Sequence, residues 1–180
     1  GPLSRMTRPD PDGLESVSQH DGSPGVVRDD ELMCRGAFDP MHYERGKVRS
    51  SFIKNGDLLA GELSVWRGGT VRHSDDYITA VQKIREHGPS GHSLRDIFSP
   101  SAGAIRDIRL DGHERVFYVI DDCRTDKDGA WDQLHAAIKI ALGLKVASRE
   151  DDLYVRAKAE LRRVFLANSD PDLASALADR

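Results

Sequence analysis

Cysteine, aromatic residues and long apolar runs are all scarce in this sequence. The chain has 180 residues and only two cysteines, Cys34 and Cys123, which form neither a C-x-x-C pair nor a zinc-ligand spacing. We therefore expect free cytoplasmic thiols rather than a disulfide framework or a zinc finger. Aromatic residues make up 6% of the chain, and no run of 18 apolar residues occurs. These two absences predict a thin core and no membrane-spanning helix.

The motifs that identify several common enzyme classes are absent as well. The chain contains no G-x-x-x-x-G-K-[ST], no G-x-G-x-x-G, no G-x-S-x-G, no H-E-x-x-H and no P-C-x-x-C. P-loop, dinucleotide-binding, α/β-hydrolase, zinc-protease and zinc-deaminase functions therefore lose their usual support. We predict no cofactor on this basis.

The charge balance is mildly acidic and argues against one broad class of partner. Lys and Arg number 26 against 30 Asp and Glu, which gives a formal net charge of −4 and a pI of about 6.0. The bulk positive charge that holds many proteins on nucleic acid is therefore missing. A local basic patch is still compatible with these numbers, because segment 149–167 carries several arginines and lysines.

Composition divides the chain into three parts. Residues 1–29 contain repeated Pro, Gly, Ser and Asp and almost no apolar residues, which predicts a disordered leader. Its first four residues are typical of the remnant of a cleaved expression tag. We predict one folded domain over residues 30–168 and a short helix or tail over residues 169–180.

Strand signals dominate the first half of the predicted domain. Segment 62–67 alternates, with Leu63 and Val65 on one face and Ser64 and Trp66 on the other. Ser74 is placed as the N-cap of a helix that ends at Gly88-Pro89. The other predicted elements are strands at 31–38 and 48–53, a turn at 55–57, and a second short helix at 92–98.

The second half combines a predicted hairpin with predicted helices. Two strand-like runs, 104–110 and 115–120, flank an Asp-Gly turn, and the apolar run Val116–Ile120 predicts a central strand buried on both faces. A capped helix is predicted from about Gly129 to Leu142, because its apolar residues recur at helical spacing. The remaining predictions are a strand at 144–147, a capping box at Ser148, a helix to about 167 with the stripe Tyr154, Ala157, Leu161, Val164 and Phe165, and a last helix from Pro171.

This order of elements predicts an α+β fold. Strands, a helix, a hairpin and then helices follow one another, without the regular alternation that builds parallel sheets. We expect a small mixed or antiparallel sheet packed against helices, with further helices at the C-terminal end.

An acidic turn at 121–128 resembles part of a calcium loop. The spacing of an EF-hand would place Arg124 at its first ligand position and His135 at its last, and neither residue fits. A looser site from Asp121, Asp122 and His135 is conceivable, but aspartates are common in turns and caps for structural reasons. We therefore predict no metal site.

Four polar residues are the candidate site of this chain: Arg35, Ser51, Ser64 and His135. His135 lies beside an apolar stripe, where an imidazole near Asp121 or Asp122 would be a general base. Arg35 lies within a strand-like run, where a guanidinium must be paired or bind an anion. Each of the four also has an ordinary structural explanation, as an outward-facing polar residue of a strand or as a satisfied flank histidine.

Three short pieces carry a resemblance to known proteins. Arg35 on an opening strand, Ser50-Ser51-Phe52, Leu63-Ser64-Val65 and the late Leu134–Ile138 follow one another in an order that resembles an uncharacterised small bacterial domain. An arginine before a serine strand is also distantly similar to ADP-ribosyltransferase toxins, although this chain has no E-x-E or Q-x-E element after its core strands. The first resemblance implies a compact bacterial cytosolic domain without a known activity.

Three functions are carried forward as predictions. The first is a non-catalytic interaction or accessory module of a bacterial multi-protein system, with a protein partner. The second is an enzyme or ligand-binding domain that acts on a phosphorylated or nucleotide-like substrate through the four candidate residues. The third is local binding of nucleic acid by the basic face of helix 149–167, which salt would weaken steeply.

Overall fold

The fold is built on a five-stranded antiparallel sheet. The computed structural model describes residues 8–18, 22–110, 112–125, 131–141 and 152–173. The strands are β1 (Met33–Asp39), β2 (Tyr43–Glu44), β3 (Lys47–Val48), β4 (Leu63–Arg67), β5 (Ser93–Phe98), β6 (Phe117–Asp121), β7 (Arg124–Thr125), β8 (Trp131–Asp132) and β9 (His135–Ile140). The large sheet has the order β5-β1-β4-β9-β6, and β2-β3 and β7-β8 form two small hairpins.

Four α-helices accompany the sheet in the described chain: α1 (Asn55–Ala60), α2 (Asp75–Glu86), α3 (Ala102–Arg106) and α4 (Asp152–Leu166). A short 3-10 helix covers Ser50–Phe52. The antiparallel sheet with its helices confirms the predicted α+β class. None of the described helices has both the length and the apolar character that crossing a bilayer requires.

Strand β4 separates two apolar clusters, as its alternating sequence predicts. Leu63 and Val65 belong to the larger cluster, whereas Trp66 belongs to a smaller one on the opposite face. Because successive side chains of a strand point to opposite faces, one strand contributes to both cores.

Helices α2 and α4 each cover an apolar cluster, and both were predicted. The Ser74 hydroxyl accepts a hydrogen bond from the Tyr77 amide at 3.3 Å, which caps α2. Helix α2 packs against β1 and β4 through the smaller cluster. The predicted stripe of α4 is buried in the larger cluster, where Phe165 meets the Phe52 ring edge-on at 5.8 Å between centroids. The buried residues of that stripe are Tyr154, Ala157, Leu161, Val164 and Phe165.

The predicted helix at 129–142 is wrong. Residues 135–140 form β9, which pairs with β4 on one side and with β6 on the other. Its first four residues are all buried, so its apolar positions fit a helical stripe and a doubly covered strand equally well. Long-range pairing decides between the two, and local spacing does not reveal it. The elements predicted over 142–150 lie outside the described residues.

Three smaller predictions in the first half are also wrong. Residues 93–98 form strand β5 instead of a helix, because they pair along β1. The predicted strand at 48–53 is mostly the 3-10 helix, and the predicted turn at 55–57 opens α1. Short polar segments of this kind have weak local preferences, which tertiary contacts override.

The predicted hairpin at 104–120 is half wrong. Its first strand is replaced by α3, and its second strand, β6, pairs with β9 instead. All five residues of β6 are buried, as predicted, but the strand lies at the edge of the sheet rather than at its centre. Helix α3 and residues of the leader cover it.

The described residues of the leader contact the domain through charged groups. Glu15 accepts hydrogen bonds from Arg106 at 2.5 Å and from Arg115, and Asp29 accepts from Arg8 at 2.6 Å and from Arg106 at 2.8 Å. We call these five residues the leader cluster. These contacts cross the expected domain boundary at residue 30, which itself stays a prediction.

Candidate functional site

A cavity of about 330 Å³ opens beside β1 and β4. It combines five charged or titratable residues with aromatic and aliphatic ones. Its lining residues are Arg35, Gly36, Phe38, Ser64, Trp66, Ile84, His87, Arg124, Asp132 and His135. A concave site with a few polar groups among apolar ones is typical of small-molecule binding.

The cavity lies where β1 and β4 diverge. The two strands share only the pairs Met33–Arg67 and Cys34–Trp66. Beyond these pairs, the Arg35 guanidinium replaces the backbone pairing as the link between the strands. It donates to the Ser64 carbonyl at 2.8 Å and to the Phe52 carbonyl at 3.0 and 3.3 Å. One side chain therefore holds the two strands and the 3-10 helix around the opening.

Arg35 brings a positive charge to which no carboxylate of the described residues is hydrogen-bonded. Its three hydrogen bonds go to backbone carbonyls, and its guanidinium also lies 5.4 Å from the centroid of the Phe52 ring. Burial lowers the pKa of Arg35 to about 10, so the group is still a cation at neutral pH. Asp57 provides a longer-range favourable interaction, but a guanidinium at a cavity wall without a hydrogen-bonded carboxylate among the described residues favours an anionic ligand.

Gly36 allows helix α2 to close the opposite wall. A methyl group at this position would lie 2.6 Å from the Ile84 side chain and 2.7 Å from that of Leu94. Contacts this short are sterically forbidden, so only glycine permits the present distance between β1 and α2.

His135 is oriented by Asp122. Its Nδ1 lies 2.9 Å from the Asp122 carbonyl oxygen and 3.0 Å from the Asp122 carboxylate. Both neighbours are acceptors, so Nδ1 carries the proton and donates. Nε2 is then the nitrogen with a free lone pair, on a ring that is 3% exposed and lines the cavity. This tautomer suits a general base.

Asp122 is ionised well below neutral pH. Burial opposes its ionisation, but hydrogen bonds from His135 and Arg124 outweigh burial and lower the pKa of Asp122 to about 2. Burial, followed by the nearby Asp122 carboxylate, raises the pKa of Glu62. Arg124 lies 3.8 Å from Glu62 and is bonded to Asp122, so it links both carboxylates at the cavity.

Trp66 contributes an aromatic ring to the wall and lies between two histidines. The His135 ring meets it edge-on, with centroids 5.2 Å apart, and the His87 ring is tilted at 5.1 Å. Trp66 and His135 are also directly paired across β4 and β9. The register of the sheet therefore fixes the distance between these two rings.

Asp132 is a buried carboxylate on the same wall. It is 3% exposed, and its Oδ1 accepts from the Leu134 amide at 3.3 Å. Its Oδ2 has no hydrogen-bond partner among the described residues. The nearest cation, the Lys83 ammonium, lies 3.9 Å away, which exceeds hydrogen-bonding distance.

Three of the four sequence-predicted site residues line this cavity. Arg35, Ser64 and His135 come together from β1, β4 and β9, although His135 does so from a strand and not from the predicted helix. Ser51 is exposed in the 3-10 helix and does not line the cavity.

Sequence reasoning missed four lining residues with functional groups. Trp66 was assigned to a strand face, and Arg124 was considered only as a failed calcium ligand. His87 ends α2 beside the predicted stop signal, and Asp132 lies in a segment predicted as helix. The pattern that would have found Trp66 is its pairing with His135, which requires the strand β9 to be recognised first.

A second cluster of ligand-like groups contains His73, Asp170 and Asp172. Both carboxylate oxygens of Asp170 already accept hydrogen bonds, from the Tyr77 hydroxyl at 2.9 Å and the Asp172 amide at 2.9 Å, and His73 lies 3.0 Å away. These contacts explain the cluster as the attachment of the C-terminal segment to α2.

No family model, curated protein or solved structure matches this chain.

Proposed function

We propose that the cavity is a small-molecule site in which His135 acts as a general base on a ligand with an anionic group. The observation that carries this proposal is the convergence of Arg35, Ser64 and His135 on one cavity, with His135 held in one tautomer by Asp122. Residues so far apart in the chain share a pocket only because the sheet brings them together.

Each group has a separate role in this proposal. Arg35 and Arg124 attract the anionic group, for example a phosphate or a carboxylate. His135 removes a proton from the ligand through Nε2, and the imidazolium that forms is stabilised by the Asp122 carboxylate. Asp122 is therefore a positioning residue, since it acts through His135.

Nuclear magnetic resonance on the full chain tests the proposal in two ways. Long-range ¹⁵N–¹H spectra should show His135 with its proton on Nδ1, and Asp122→Ala should change this pattern. Titration with ethyl phosphate should shift the signals of Arg35, Trp66 and His135. Arg124→Ala should weaken the titration, whereas the control Arg163→Ala, on the exposed face of α4, should not.

Two outcomes would overturn it. A proton on Nε2 in the free protein would remove the general base. Ethyl phosphate shifts spread evenly over the surface, or absent from the cavity, would remove the anion site.

The other two predicted functions are left with less support. Within α4, Lys158 donates to Asn55, Arg162 to the Val48 carbonyl and Arg163 to Glu160. The same helix also carries Asp152 and Glu160 beside Arg156 and Arg163, and these carboxylates offset part of its positive charge, so nucleic-acid binding by this helix is not favoured. The interaction module, its protein partner and its bacterial, cytoplasmic setting stay predictions. Ligand binding by the cavity would be compatible with such a module, and failure to bind would favour it.

A further inference from the structure

The proposed anion site assigns no role to one charged group of the cavity, the Asp132 carboxylate. A carboxylate is the opposite of what an anionic ligand requires, and yet Asp132 shares the wall with Arg35, Arg124 and His135. It is buried in a position where charged groups are rare unless paired.

The hydrogen bonds of Asp132 show which atom is unused. An ionised carboxylate accepts through two oxygens. The Leu134 amide serves Oδ1, while Oδ2 is shielded from solvent and lacks a donor among the described residues. Leaving a buried acceptor without a donor is unfavourable, and more so when the acceptor is charged.

Lys83 balances the charge without supplying the missing bond. Its ammonium lies 3.9 Å from Oδ2 and its side chain is 27% exposed. Ion pairs that are this long and partly exposed contribute little to stability. A stronger donor that arrives in the cavity would complete the bonding of Oδ2 after displacing the side chains that shield this atom from solvent.

We infer that the ligand of this cavity is zwitterionic, with an ammonium or another cationic N–H group that binds Asp132 and an anionic group that binds Arg35 and Arg124. This inference rests on the proposed function, because it assigns the second half of the ligand for the same site. The volume of about 330 Å³ is at the small end of ligand cavities and suits a molecule of amino-acid or phosphoamine size.

The sharpest test compares two probes that differ by one ammonium group. O-phosphoethanolamine carries a phosphate and an ammonium, and ethyl phosphate carries the phosphate alone. Calorimetric titration of the full chain should show O-phosphoethanolamine binding about tenfold or more tightly than ethyl phosphate, the effect of one charge-assisted hydrogen bond.

Two variants assign that preference to Asp132. Asp132→Asn keeps the shape of the side chain and should abolish the preference, because O-phosphoethanolamine loses its carboxylate partner while ethyl phosphate, no longer repelled by a negative charge on the wall, binds at least as tightly as before. Lys83→Met removes the competing ammonium and should increase the preference. If Asp132→Asn does not fold, as judged by its thermal transition, the Lys83→Met result still decides.

The outcomes separate the two proposals. Equal binding of both probes by the wild-type chain would overturn the zwitterionic ligand and leave the anion site standing. A preference that survives Asp132→Asn, or that falls in Lys83→Met, would also overturn it. Failure of both probes to bind at the cavity would overturn the anion site and the zwitterionic ligand together.

Discussion

The leader cluster and the cavity both bury charge, but they complete its hydrogen bonds to different degrees. In the leader cluster, Glu15 accepts from Arg106, Arg115 and the Val119 amide, and the side chains of Arg106 and Glu15 are 6% and 9% exposed. In the cavity, the equally buried Asp132 has one carboxylate oxygen without a donor in the part of the chain that the structure describes. The carboxylates of the leader cluster thus have arginine donors, although the buried Nε of Arg115 has no acceptor among the described residues, whereas the Asp132 carboxylate beside the opening keeps one oxygen for a ligand.

The largest loss of stability is expected when the leader cluster loses one of its arginines. We expect Arg106→Ala to lower the free energy of unfolding by about 3 kcal/mol, because the buried Glu15 and Asp29 carboxylates each lose one charge-assisted hydrogen bond while keeping those from Arg115 and Arg8. Chemical denaturation measures this change. Arg163→Ala, which removes an arginine that is 65% exposed, is the matched control and should change stability by less than about 0.5 kcal/mol. Similar losses in both variants would show that the leader contacts add nothing.

A methyl group placed in the cavity wall should have the next largest effect. Gly36→Ala forces a carbon to within 2.6 Å of the Ile84 side chain and should destabilise the chain by about 1–3 kcal/mol. Gly56→Ala is its control, because a methyl group there meets nothing within 4 Å inside α1. Since alanine favours helix, we expect this control to gain about 0.5–1 kcal/mol. Thermal or urea unfolding measures both variants. Changes of the same sign would contradict the claim that the close approach of β1 and α2 requires glycine at position 36.

The Asp122–His135 pair should make stability depend on pH in acid. The pKa of Asp122 in the folded chain is about 2, below the value of about 3.9 for an exposed aspartate. A lowered folded-state pKa stabilises the protein above about pH 4, and this contribution is lost as the pH falls from about 4 to about 2. Asp122→Asn should therefore cost about 1 kcal/mol near neutral pH and progressively less in acid.

Unfolding curves of both forms between about pH 6 and pH 2 measure this dependence. Asp75→Asn, which removes a solvent-exposed aspartate from the first turn of α2, controls for the loss of a carboxylate as such. A gap between wild type and Asp122→Asn that stays constant down to about pH 2 would contradict the assignment.

The smallest change in stability is expected for Asp132→Asn. Its sign distinguishes a charge kept for a ligand from a charge that stabilises the fold. Because Oδ2 has no donor among the residues described and Lys83 lies 3.9 Å away, Asp132→Asn removes a charge that contributes little to stability. We expect a change within about 1 kcal/mol, towards greater stability. A loss of the size expected for Arg106→Ala, measured under the same denaturation conditions, would place Asp132 among the structural charges.

The sequence predicts elements whose signals are local. Helix α2 has its N-cap at Ser74, α4 has a full apolar stripe, and β4 alternates between two faces, and each is found near its predicted position. Segments 93–98 and 135–140 were mistaken for helices because their partners lie far away in the chain.

The same limit applies to the cavity. Arg35 and His135 are polar residues in apolar stretches of sequence, so each can be identified as a candidate from its immediate neighbours. Asp132 and Trp66 acquire their roles only through the pairing of β9 with β4 and the return of the chain through β8. Without the strand at 135–140, no rule of spacing places them in one cavity.

The side chains that cover the edge strand β6 affect how this sheet can pair with a strand from another chain. The outward amide of Val119 donates to Glu15 at 2.9 Å, and its carbonyl accepts from Arg106 at 2.9 Å. Two ion-paired side chains thus occupy the hydrogen-bonding positions of Val119 that a sixth strand would fill. Covering an edge strand in this way removes sites for edge-to-edge pairing, so removal of Glu15 would expose the Val119 amide to a strand from another chain.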